Sequence, residues 1–106
     1  MSAHQYRITV EYMGGKRAGP ELHEPVVFEV GNHDDIINII GAAQAAELFD
    51  RDTSASLALG MKLFTEVMLK YRKDPLFAPM MPAFRDFVGQ LKQRIKEEKE
   101  GTLTEG

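Results

Sequence analysis

The sequence predicts an α+β domain, ββααα in order, in which an N-terminal antiparallel β-hairpin of two strands is followed by three α-helices packed on one face of it. Three observations predict this. Residues 6–12 alternate apolar with polar side chains, the period of a half-buried strand, and residues 26–30 place Val26, Phe28 and Val30 on one face. From residue 36 onward the apolar residues recur instead at intervals of three and four, the period of a helix. A proline-rich break at residues 75–82 then separates the last helix from those before it.

In the first strand Tyr6, Ile8, Val10 and Tyr12 share one face, and Arg7, Thr9 and Glu11 the other. Gly14-Gly15 ends it, and Lys16 to His23, with Gly19-Pro20, reads as a surface loop. The second strand places Val26, Phe28 and Val30 on one face and Val27 and Glu29 on the other. Matching the apolar faces requires even-numbered residues to pair with even-numbered ones. Tyr12 then lies near Glu24 or Val26, and the loop is about ten residues long, beyond the usual two to five.

Asn32-His33-Asp34-Asp35 reads as a helix start, with Asn32 as the cap and acidic side chains complementing the helix dipole. Ile36, Ile37, Ile39, Ile40, Ala43 and Ala46 give this first helix a broad apolar face, and Gly41 keeps it short. Phe49 to Ser54 is a turn rich in capping residues, from which the longest helix runs to about Lys73. Leu57, Met61, Phe64, Met68 and Tyr71 form one stripe on it, and Leu59, Leu63 and Val67 a second, so it is the central helix, buried on more than one side. Asp74-Pro75 stops it, and Pro79 and Pro82 keep the next stretch irregular. Pro82 suits the first turn of the last helix, where Phe84, Phe87, Val88, Leu91 and Ile95 share a face.

At 106 residues the chain is read as one domain, 1–106, with a polar, frayed tail over 97–106. A composition of 43% hydrophobic and 27% charged residues supports one ordinary core. The absence of cysteine excludes thiol nucleophiles, redox pairs and Cys-based zinc sites. No stretch resembles a signal peptide or a transmembrane helix, so the expected location is the cytoplasm, with no membrane partner. The net charge of -3 argues against nucleic acid as a partner. That charge is uneven. Residues 1–56 carry 4 Lys/Arg against 9 Asp/Glu, and residues 57–106 carry 9 against 7, so the halves could attract within one fold or across a dimer.

The runs His4-Gln5-Tyr6-Arg7-Ile8-Thr9-Val10-Glu11, Phe28-Glu29-Val30, Asn32-His33-Asp34-Asp35-Ile36, Leu59 to Phe64 and Val67 to Lys70 resemble a small bacterial family catalogued as domain of unknown function 3861. Arg72-Lys73-Asp74-Pro75-Leu76-Phe77 continues the resemblance, which spans nearly the whole chain apart from the loop at 14–23 and the tail. It implies a fold but no activity, cofactor or catalytic residue.

Four groups of side chains invite a chemical reading. His4, His33, Asp34 and Asp35 fall at the same end of the hairpin, where two imidazoles and two carboxylates suit a divalent metal, another small ligand or acid–base work. The alternation puts His4 and His33 on opposite faces, however, so helix capping by the aspartates and surface histidines is the favoured reading, and no metal site is assigned. The loop at 14–19 has glycines and positive charge but precedes a strand, the wrong order for a phosphate cradle. Lys70, Arg72 and Lys73 could hold an anion or an acidic partner, although basic residues also complement a helix C-terminus. Leu76 to Pro82, with Phe77, Met80 and Met81, either closes the core or forms a docking patch, and closure is favoured. No hydrolase elbow or metalloprotease motif is present.

The reading is therefore a non-enzymatic interaction module with no catalytic residue and no cofactor. A lone two-stranded hairpin is marginal and leaves two open edges, so self-association as a homodimer is expected, with a further protein partner as a second possibility. The alternative is a binder of a small molecule, anion or metal, an enzyme included, with its site near His4, His33 and Asp34.

Overall fold

The computed structural model describes residues 4–15 and 23–105. Strand β1 (His4–Val10) pairs antiparallel with β2 (Val26–Asn32), and three helices follow: α1 (Ile36–Ala46), α2 (Arg51–Lys70) and α3 (Met81–Glu105). The order is ββααα, as alternation and periodicity predict. The chain divides into two compact units at Asp34 and Asp35, one holding the hairpin and the other the helices.

The hairpin register runs from His4 opposite Asn32, through Tyr6 opposite Val30 and Ile8 opposite Phe28, to Val10 opposite Val26. Even residues face even residues, because that register keeps Tyr6, Ile8 and Val10 on the same face as Val26, Phe28 and Val30. His4, Tyr6 and Ile8 are half-buried while Gln5, Arg7 and Thr9 are exposed, the alternation expected of β1. The strands separate after Val10 and Val26, so residues 11–25 connect them, a longer link than the ten or so residues expected. Its base is held by ring contact: Tyr12 and His23 meet edge-on with centroids 4.7 Å apart. Most of the predicted loop at 16–23 lies outside the described residues.

Asn32 is not the cap of α1. It is the last residue of β2, only 2% exposed, and its Oδ1 accepts the backbone N–H of Asp34 at 2.9 Å. That bond spends the Asn32 side chain on the turn after the strand and moves the helix start to Asp35, whose carboxylate accepts the Asn38 N–H at 3.1 Å. α1 has 11 residues, an ordinary helix length rather than the short one expected from Gly41, which it passes through before ending at Glu47 in the left-handed region at φ 55°.

Asp50 caps α2, accepting from the Thr53 N–H at 3.2 Å and the Thr53 hydroxyl at 2.6 Å. α2 stops at Lys70, three residues before the expected Lys73. The reason is Asp74: its N–H turns back to the Tyr71 carbonyl at 2.9 Å, and its carboxylate accepts the Leu76 N–H at 2.9 Å. These local bonds replace the next helical turn. Between α2 and α3 the two prolines do not leave the chain wholly irregular, because Ala78–Met80 forms one turn of 3-10 helix with Pro79 inside it. Pro82 sits in the first turn of α3, as predicted.

Within the helical unit α1 packs on both α2 and α3. Phe64 of α2 reaches Phe84 of α3 edge-on at 5.4 Å, so α2 also touches both neighbours. Among the described residues, full burial is confined to Ile36, Ala58 and Met68 of the apolar side chains and to Asn32 and Ser54 of the polar ones. Ser54 satisfies its hydroxyl on the Phe49 carbonyl at 3.2 Å. No helix is long and apolar enough to cross a membrane among the described residues.

Candidate functional site

At the open end of the hairpin the structure assembles a small polar cluster. The His4 ring stacks beside Tyr6 with centroids 6.3 Å apart. The Tyr6 hydroxyl donates to the Asp34 carbonyl oxygen at 3.1 Å, while Asn32 takes the Asp34 N–H. His33 and Asp34 lie on the exposed turn, and the Asp35 carboxylate faces the first N–H groups of α1. Asp35 therefore does what an N-cap does, while Asp34 meets Tyr6 and Asn32 through its backbone. No group of three or more histidine, aspartate or glutamate side chains converges on a point where a metal ion could sit, among the described residues. Asn32 and Tyr6 are the residues that organise this corner. The parity of the alternation marks them in the sequence only as the even-numbered neighbours of His4.

Of the glycine-rich loop, Gly14 and Gly15 are described, both at positive φ, and residues 16–22 lie outside the described range.

The hairpin's other end is apolar and open. Val10 and Val26, directly opposed, are each 58% exposed, and Phe28, opposite Ile8, is 41% exposed on the same face. Val27 opposite Thr9 is 54% exposed on the reverse face, where Arg7 and Glu29 form an ion pair at 3.1 Å across the strands. β2 thus shows valine to solvent on both faces. The sheet has two strands among the described residues, so the outer edge of each lacks a strand partner.

In the helical unit the segment 76–82 is split by the chain's local geometry. Phe77 turns inward and meets Phe64 edge-on at 6.1 Å, and Met81 is half-buried. Leu76, Pro79 and Met80 remain outside. Lys70 closes the last turn of α2, with its ammonium 6.0 Å from the Tyr71 ring centroid. Arg72 and Lys73 lie beyond the helix and, with Lys70, line a shallow hollow over residues 69–74. The Asp74 carboxylate on that hollow is occupied by its own turn.

Grooves run along the helices. One, of about 370 Å³, lies between the α1–α2 corner and α3 and is floored by Leu48, Leu57 and Leu91. Another, of about 290 Å³, lies between α2 and α3, with Met68, Leu69, Met81, Phe84 and Val88 forming its apolar lining and Arg85 and Lys92 its charged one. Neither groove was visible in the sequence, because each depends on which helical stripes face each other.

Residues 4–93 match the family model described as "Domain of Unknown Function with solved-structure structure (DUF3861)". The chain is also similar to the crystal structure of a protein of unknown function from Pectobacterium atrosepticum. The two share 30% identity and a TM-score of 0.73, over 85% of this chain and 97% of the other. No curated protein matches.

Proposed function

The chain belongs to the DUF3861 family, and from that premise we propose that it is a non-enzymatic interaction module that self-associates through its hairpin, with a second copy as the partner. The observation behind this reading is β2, a strand with Val26, Val27 and Phe28 all exposed in a sheet of two strands. Exposed apolar strands with an open edge are the surfaces through which sheets join, and proteins that keep such strands apart usually place lysine or proline on them. From Val26 to Asn32 β2 has neither.

A two-stranded sheet gains little stability by itself, whereas four strands joined across a two-fold axis bury a face and satisfy two edges. Charge supports the same partner. The acidic first half of one copy complements the basic second half of another, with 9 Asp/Glu against 4 Lys/Arg in residues 1–56. The exposed side of the 76–82 segment, Leu76 and Met80, is a second surface of the same kind, available to a different protein.

The test is the mass of the full chain at micromolar concentration, by light scattering or native mass spectrometry. The expected result is twice 11.9 kDa. Val27→Lys, at an exposed position, should return the mass to that of one chain while leaving the helical circular dichroism unchanged. A wild-type protein that is monomeric at that concentration removes the reading.

A further inference from the structure

We propose that the groove between α2 and α3 binds a small amphipathic anion of the medium-chain carboxylate class, with the hydrocarbon chain on Leu69, Met81, Phe84 and Val88 and the carboxylate held by Arg85 or Lys92. The groove is open to solvent along one side. Its volume is about 290 Å³. An open groove of this size admits a short alkyl chain without fixing its length, and octanoate serves as the probe.

Charge sets the head group. Among the described residues, Arg85 and Lys92 are the groove's only ionisable lining, no carboxylate lines it, and neither cation is in an ion pair with a described acid. Seven residues apart on one helix, they lie on the same face about two turns from each other. Two unneutralised cations flanking an apolar surface favour an anion with an apolar body over a neutral or cationic one. Met81 suits a flexible alkyl chain, since its thioether adapts to irregular contacts.

Gly89 offers a position from which the groove can be filled. It lines the groove between Arg85 and Lys92, in mid-helix, where glycine costs about 1 kcal/mol relative to alanine. A Cβ built there meets no atom within 4 Å. A larger side chain at this position would therefore extend into open space along the groove.

This inference does not depend on the chain forming a dimer. The experiment is an NMR titration of the full-length protein with sodium octanoate, with octylammonium and butyrate as controls for charge and chain length. Octanoate is expected to bind with a Kd of about 0.1–1 mM, the range open to a ligand of this size in an open groove. It should shift the amides of residues 85–92 and the Met81 methyl signal. Octylammonium and butyrate should bind more weakly. Arg85→Gln and Lys92→Gln should together weaken octanoate about two- to fivefold, as expected for exposed charge contacts. Gly89→Leu should fill the groove and abolish the shifts without lowering the melting temperature, so that loss of binding is separated from loss of fold. Equal binding of octylammonium, wild-type binding by Gly89→Leu, shifts confined to other residues, or no shifts at all would each overturn the proposal.

Discussion

The Tyr6 hydroxyl and the Asp34 carbonyl oxygen are joined by a 3.1 Å hydrogen bond across 28 positions of sequence. With Asn32 Oδ1 on the Asp34 N–H at 2.9 Å, both backbone groups of Asp34 are held by side chains from the two strands. The two bonds differ in burial, and their removal should differ in cost. Tyr6→Phe keeps the ring beside His4 and should cost about 0.5–1 kcal/mol, the net worth of a partly solvated hydrogen bond. Asn32 is 2% exposed, so Asn32→Ala also removes a buried partner and should cost about 1–3 kcal/mol. Urea unfolding of the two variants checks the order. A larger loss from Tyr6→Phe would mean that the hydroxyl, not the amide, holds this turn.

Asp50 gives the chain an acid-sensitive helix start. The Thr53 hydroxyl first, and the Thr53 N–H second, hold its carboxyl below the ordinary value of 3.8. A carboxyl depressed in the folded state adds stability that is fully present above its unfolded value. That stability is lost as pH falls through the lower folded value. Asp50→Asn keeps a good capping oxygen and should flatten the fall in melting temperature below about pH 4. Asp50→Ala should lower the melting temperature at pH 7 as well. Identical acid limbs for wild type and Asp50→Asn would show that other carboxylates govern the acid response.

Gly41 in α1 and Gly60 in α2 occupy helical positions where a Cβ would meet no atom within 4 Å. Alanine at each should therefore stabilise the protein by about 0.5–1 kcal/mol, through helix propensity and a less disordered unfolded chain. Thermal unfolding of the single and double variants measures this, and the two gains should add because the sites lie in different helices. A destabilised Gly60→Ala would mean that another chain approaches α2 at that point in the assembled protein.

The hairpin register is legible in the sequence because the side-chain period of a strand leaves only one parity that aligns Tyr6, Ile8 and Val10 with Val26, Phe28 and Val30. The caps are legible in part. Asp50 and Thr53 stand at the expected spacing, but Asn32, the last residue of β2 opposite His4, engages its side chain with the Asp34 N–H and leaves the cap to Asp35. The end of α2 falls three residues short of its periodic pattern because the Asp74 turn bonds backward to Tyr71 and forward to Leu76, a preference that periodicity does not encode. The α2–α3 groove is not legible at all. A groove is the space left between stripes, and its lining follows from the crossing of helices rather than from either stripe alone.

Glu47 ends α1 with φ 55° and ψ 35°, the left-handed conformation, its N–H bonded to the Gln44 carbonyl at 3.2 Å. Helices often end in this conformation, but with glycine, because a Cβ there crowds the following carbonyl and costs about 1–2 kcal/mol. Glu47→Gly should accordingly stabilise the protein, by about 1 kcal/mol once the greater freedom of glycine in the unfolded chain is set against the relief. In a chain of 106 residues that corresponds to a rise of about 4–8 °C in melting temperature. Glu47→Ala keeps the Cβ and should give no such rise, which separates relief of the backbone from removal of a carboxylate near the carbonyl end of a helix dipole. If alanine stabilises as much as glycine, charge is the cause. If neither does, Glu47 holds its conformation through contacts that compensate for the strain, and the α1–α2 corner is more firmly built than this backbone bond alone implies.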